Sequence, residues 1–131
     1  MEVSILLDTN RLTDALRQEP PVVTLIERAP EVYVPFVALA EMKAGFLGGD
    51  QRRRAHNEAL LLRFLRLRSV NVLYADRETT GVYARLFLQL RQAGTPIPTN
   101  DLWIASLAVQ HQLALVTRDA HFGKVPQVAR L

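Results

Sequence analysis

"SILLDTN", residues Ser4–Asn10, sets a short apolar run directly against an acid and two small polar residues. The run predicts a buried strand over Val3–Leu7, because it is short, contains Val and Ile, and is apolar on both faces, as strands of parallel sheets are. Asp8, Thr9 and Asn10 then offer side-chain oxygens to the free N–H groups of a helix starting near Arg11. A strand that runs straight into a capped helix is the opening of an α/β fold, and the rest of the chain repeats it.

Pro20-Pro21 ends the first helix and opens a second, Val22 to Ala29, since proline suits a first helical turn and not an interior. Val32 to Val34 reads as the next strand. From Phe36 the spacing of Val37, Leu39, Ala40, Ala44 and Leu47 predicts a helix that Gly48-Gly49 stops. Asp50 caps a long helix reaching about Arg68, with Leu61, Phe64 and Leu65 inward. Val70 to Tyr74 forms a third strand, Val82, Leu86 and Leu90 mark a helix ending at Gly94, and Thr99 or Asn100 caps a helix from Leu102 to Gln112. Leu113 to Thr117 gives a fourth strand, and the tail from Val125 suggests a short edge strand. Strands alternating with helices imply a three-layer α/β/α domain around a mostly parallel sheet, in which ligands bind beyond the carboxyl ends of the strands.

The 131 residues fit one globular domain over 1–131, with no repeat or linker to divide them. Hydrophobic residues at 49% and charged residues at 22% exclude disordered and fibrous classes. Sixteen Lys and Arg against 13 Asp and Glu give a net charge of +3, a mild bias toward polyanionic partners. The chain has no Cys, so disulfides and thiolate metal sites are excluded. His56, His111 and His121 lack the spacing of a helical zinc pair, leaving carboxylates and a hard cation as the expected metal chemistry. No apolar stretch approaches the roughly 18 residues of a membrane span, and no basic region precedes the first apolar run, so a cytoplasmic protein is expected.

The strand ends then become the places to inspect. Asp8 follows the first strand and Asp119 the fourth ("LALVTRD"), so parallel strands bring both to one rim. Glu41 lies in "VPFVALAEM", where a lone buried carboxylate is costly, and Asp101 precedes "LWIASLAV" in a helix's first turn. Carboxylates gathered at one rim repel each other and require raised pKa values or a counter-ion, which a divalent cation supplies. Singly, Asp8 and Asp101 also read as caps, Asp119 as a turn residue and Glu41 as a partner for Lys43 or an arginine. Asp76 follows a strand as well, but with Thr79 three residues on it reads as an ordinary cap and is left out.

With "LLDTN", "AEMKAG", "GTPIPTNDLWIASLA" and "LALVTRDAHF" in this order, the chain resembles PIN-domain ribonucleases, and within them the VapC-type toxins of bacterial and archaeal toxin–antitoxin pairs. The resemblance runs nearly end to end. It implies a metal-dependent endoribonuclease in which Asp8, Glu41, Asp101 and Asp119 bind Mg²⁺ or Mn²⁺, with Asp8 and Asp101 as principal ligands, and Thr9, Asn10 and Thr117 orient the acids. It implies water attack in line on phosphorus, 5′-phosphate and 3′-hydroxyl ends, and a structured RNA such as a tRNA or ribosomal RNA as substrate. It further implies a homodimer and a cognate VapB-like antitoxin whose C-terminal segment crosses the acidic groove. Arg11 and Arg118, near the site acids, are candidates for RNA phosphate contacts. The arginines at 52, 53, 54, 63 and 66 either do the same or form a solvated helix face. His121 and Phe122 match the family's "HF" pair, read as mainly structural, and Trp103 reads as packed.

Other readings stand beside it: a PIN nuclease of RNA processing or decay without an antitoxin, and a receiver-like or interaction α/β domain without catalysis. A haloacid-dehalogenase-like phosphatase requires an Asp two positions after Asp8, where Asn10 stands.

Overall fold

The computed structural model describes residues 3–131. Four strands, β1 (Ile5–Leu7), β2 (Val32–Pro35), β3 (Val70–Leu73) and β4 (Ala114–Val116), form one sheet in the order β3-β2-β1-β4. Every pairing is parallel, with Ile5 opposite both Val32 and Ala114. Helices α1 (Thr9–Leu16), α2 (Pro20–Arg28), α3 (Phe36–Leu47), α4 (Gln51–Leu65), α5 (Arg77–Gln92) and α6 (Thr99–His111) make the crossovers, and a 3₁₀ helix (Ala120–Lys124) follows β4.

Side-chain alternation divides the core into two layers. Ile5, Leu7, Val32, Val34, Val70, Ala114 and Val116 pack with Leu12, Val22, Met42, Leu61 and Phe64 from α1 to α4. Leu6 and Leu115 point to the opposite face and pack with Leu86, Leu90, Ile104, Leu107 and Phe122. A three-residue strand thus serves both layers at once, which is why β1 and β4 are apolar at every position and wholly buried.

Several boundaries move from their sequence-read positions. Helix α1 begins at Thr9, not near Arg11, because Asp8 itself is the cap and its side chain accepts from Arg11 N–H. The proposed caps Thr99 and Asn100 are instead the first residues of α6. Pro98 occupies the cap position in an extended conformation, its carbonyl accepts from Leu102 N–H, and neither side chain caps the helix. Helix α4 stops at Leu65, short of Arg68. The tail forms no edge strand: a single parallel bridge joins Arg130 to Leu115, with Leu115 N–H bonded to Ala129 and Leu131 N–H to Leu115, each at 2.8 Å. Asp76 forms a reciprocal capping box with Thr79 at the start of α5, as its spacing suggested.

Chain order reverses across β1, with β2 on one side and β4 on the other. In parallel sheets such a switch point opens a crevice at the carboxyl ends of the strands. Residues 8 and 117–119 stand there.

Candidate active site

Asp8 is nearly buried, at 5% exposure, at the end of β1. Its two oxygens are held separately: Oδ1 accepts from Arg11 N–H at 2.9 Å, and Oδ2 accepts from the Thr117 hydroxyl. The cap of α1 and the fixed carboxylate of the rim are therefore the same group. Burial raises the Asp8 pKa above its ordinary value, against the pull of the Thr117 and Arg11 hydrogen bonds, and the nearby charge of Asp119 pushes it further up.

Asp101 stands in the first turn of α6, where the helix N-terminus favours an anion. Its pKa is also raised, first by burial and then by the charges of Asp119 and Glu41, against a hydrogen bond with His121. The His121 ring nitrogen Nδ1 lies 2.9 Å from Asp101 Oδ2 and 3.1 Å from Asp119 Oδ1. Asp119 caps the 3₁₀ helix by accepting from His121 N–H, and its own N–H donates to Thr117 Oγ1 at 2.9 Å. One hydroxyl, that of Thr117, thus connects the Asp8 carboxylate to the backbone that positions Asp119.

Glu41 lies on α3 and is exposed, not buried as its apolar neighbours in sequence suggested. Val37, Ala38 and Met42 take the inward positions of that helix, and the carboxylate stays at the rim, where Oε1 accepts from the Thr9 hydroxyl at 2.7 Å. Asn10 is exposed and makes no side-chain hydrogen bond among the described residues, so the structure gives it no link to the acids. Trp103 packs against Tyr83, with ring centroids 4.3 Å apart, and edge-on to Phe36.

Asp101, Asp119 and His121 each offer a ligand atom within 4.8 Å of the others, a separation that one cation can bridge. Asp8 and Glu41 stand outside this close group but share its electrostatic neighbourhood through Asp119 and Asp101. Two raised carboxyl pKa values beside further acids fit a site that welcomes positive charge, and carboxylate oxygens with one imidazole are a donor set that can hold a divalent cation. His121 is the site residue that sequence reading missed. Its pairing with buried Phe122 suggested packing for both, whereas only Phe122, 1% exposed, is core. Its position two residues after Asp119, in the turn beyond a strand, was the available signal.

Arg11 and Arg118 are both present beside the acids, and both are bound to Asp14, a largely buried residue on α1. No helix is long and apolar enough to cross a membrane among the described residues.

Comparison with known proteins identifies the family. The sequence profile of the PIN domain matches residues 5–128. Toxin FitB of Neisseria gonorrhoeae is 32% identical over 122 residues, covering 88% of this chain and 87% of that protein. Ribonuclease VapC4 of Mycobacterium tuberculosis is 32% identical over 99 residues, with 72% of each chain covered. Among solved structures, VapBC2 from Rickettsia felis bound to a DNA fragment from their promoter superposes with a TM-score of 0.85 at 25% identity, over 98% of this chain and 97% of that one. Profile, relatives and fold agree, and the chain belongs to the PIN-domain family, among its VapC-type members.

Proposed function

We propose that this chain is the nuclease of a type II toxin–antitoxin pair, a single-domain cytoplasmic endoribonuclease that hydrolyses structured RNA with Mg²⁺ or Mn²⁺. The observation that carries the reading is the gathering of Asp8, Asp101, Asp119 and Glu41 at one switch-point rim, with Asp8 and Asp101 raised in pKa by burial and by one another's neighbours. The names of its relatives, a toxin and a ribonuclease, support the same class.

In this reading Asp8 and Asp101 are the principal holders of the cation, and Asp119, Glu41 and His121 complete its surroundings. A divalent cation bound there supplies charge to the phosphate and lowers the pKa of water. Thr117 fixes the Asp8 carboxylate and favours its charged form, Thr9 orients Glu41, and His121 links Asp101 to Asp119. Of the two arginines beside the acidic rim, Arg118 is exposed and within reach of RNA phosphates, while Arg11 is mostly buried against Asp14. Hydrolysis leaves 5′-phosphate and 3′-hydroxyl ends.

The acidic rim also suits a basic side chain from a protein inhibitor, and structures similar to this chain include toxin–antitoxin complexes. The family resemblance implies a homodimer and a VapB-like antitoxin that presents an arginine from its C-terminal segment, and the acidic rim suits such a side chain. The test is induction of the wild type and of Asp8→Asn, with sequencing of RNA ends. Discrete 5′-phosphate ends with the wild type alone, suppressed by co-expression of the gene product encoded next to this one, support the reading. Identical RNA ends in both cultures refute it.

A further inference from the structure

Among the described residues, Asp14 is the least exposed of the acids that the nuclease reading leaves without a task. It lies on α1, six residues after Asp8, and its Oδ2 accepts from Arg11 Nη1 at 3.1 Å and from Arg118 Nη2 at 2.8 Å. Its backbone carbonyl also accepts from Glu19 N–H at the turn into α2, so the helix end around it is fixed. Arg11 is mostly buried, at 17% side-chain exposure, and needs a counter-charge for its own sake. Arg118 has no such need: at 63% exposure it is well solvated, yet it is drawn to the same oxygen from a segment 104 positions away.

The position of Arg118 gives that contact its consequence. Its neighbours in the chain are Thr117, which bonds Asp8, and Asp119, which meets His121. Among the described residues, only two side-chain hydrogen bonds join the α1 segment to the loop after β4: Thr117 to Asp8, and Arg118 to Asp14. Thr117 is also held by its N–H, which donates to the Leu131 carbonyl, so the loop is free to turn only beyond residue 117. A second attachment, on the residue that follows, removes that freedom and fixes where Asp119 comes to lie.

We propose that Asp14 is a positioning residue for the candidate metal site: by holding Arg118 it locks the loop that delivers Thr117 to Asp8 and Asp119 to Asp101 and His121. It touches neither cation nor RNA and acts through the loop. The role rests on the proposed nuclease site, and the test separates the two.

The experiment measures Mn²⁺ affinity by calorimetry and RNA cleavage in parallel for the wild type, D14A, D14N, R118A and D14A/R118A. Groups bonded directly to metal ligands cost roughly 10–100-fold in affinity when removed; Asp14 stands one contact further out, and D14A is expected at the lower end, about tenfold weaker for Mn²⁺. Asp14→Asn, which keeps an acceptor oxygen for Arg118, restores most of that loss. R118A, at an exposed position that does not threaten folding, reproduces the D14A loss, and the double variant is no worse than either single one. Wild-type Mn²⁺ affinity in R118A overturns the proposal, as do additive losses in the double variant. Should the wild type bind Mn²⁺ and leave every RNA intact, the nuclease reading fails while the affinities still decide the role of Asp14.

Discussion

Thr117 and Asp8 stand 109 positions apart, and the threonine hydroxyl donates to Asp8 Oδ2 in a buried setting. That bond pulls the Asp8 pKa down against the upward push of burial. In Thr117→Val the donor is lost at similar shape, so the Asp8 pKa rises further and the carboxylate is ionised only at higher pH. The acid limb of the pH–rate profile for RNA cleavage should move up, with a loss near neutrality of roughly 10–100-fold. An acid limb at its wild-type position counts against this.

Asp8 also carries a stability signature opposite to its use. Its folded pKa lies above the ordinary 3.8, so between those values the native state binds more protons than the unfolded chain. Stability then falls as pH rises through that window, and the deficit persists at neutral pH. Asp8→Asn, which keeps an oxygen for Arg11 N–H, is expected to melt above the wild type at pH 7, with the gap closing below about pH 4. Cleavage in the same variant should drop by more than the roughly 10–100-fold typical of a ligand's outer partners. Thermal melts across pH, beside a cleavage assay, check both halves.

Cation binding to the folded chain alone raises the melting temperature. At a concentration about 100 times Kd the gain is about 2.7 kcal/mol. Mn²⁺ should therefore shift the wild-type melt upward and EDTA should reverse the shift. Asp101→Asn should abolish most of it, since that carboxylate belongs to the close group with Asp119 and His121. An equal shift in D101N would remove Asp101 from the ligand set.

Asp76 provides the control. It follows β3 as Asp8 follows β1, but its carboxylate is spent on Gln110 and Thr79, and these hydrogen bonds, that of Gln110 first, lower its pKa. A depressed pKa contributes stability above the ordinary carboxyl range that is lost as pH falls through the folded value. Asp76→Ala should lower the melting temperature at neutral pH, lose that deficit in acid, and leave RNA cleavage at the wild-type rate.

How far these features could be read from sequence depended on the distance over which each is decided. "LLDTN" and "LALVTRD" each contain a strand, its end and the polar residues that follow, so Asp8 and Asp119 were picked out at one rim from local pattern, whereas Thr117 entered only through the family resemblance. The capping box of Asp76 and Thr79 was legible for the same reason. Glu41 was placed on the right helix but in the wrong environment, because α3 is apolar on most of its surface and sequence neighbours do not reveal which position meets the rim. Thr99 looked like a cap until Pro98, with its fixed φ, took that position. Asp14 and His121 were not legible as partners. The first is defined by an arginine 104 positions away, the second by an acid 20 positions away on another helix, and only the packed sheet brings either pair together.

The margin of the sheet sets an order of assembly. Strand β4 bonds to β1 on one side and to the backbone of Ala129–Leu131 on the other, and Thr117 N–H itself donates to the Leu131 carbonyl. A chain leaving the ribosome therefore carries Asp8 and Glu41 for most of its synthesis with nothing to complete them. Thr117, Asp119 and His121 arrive near the end, and pairings this distant in sequence form late. The proposed metal site and this margin of the sheet are thereby one structural unit: Thr117, Asp119 and His121 reach the rim only where β4 pairs with β1.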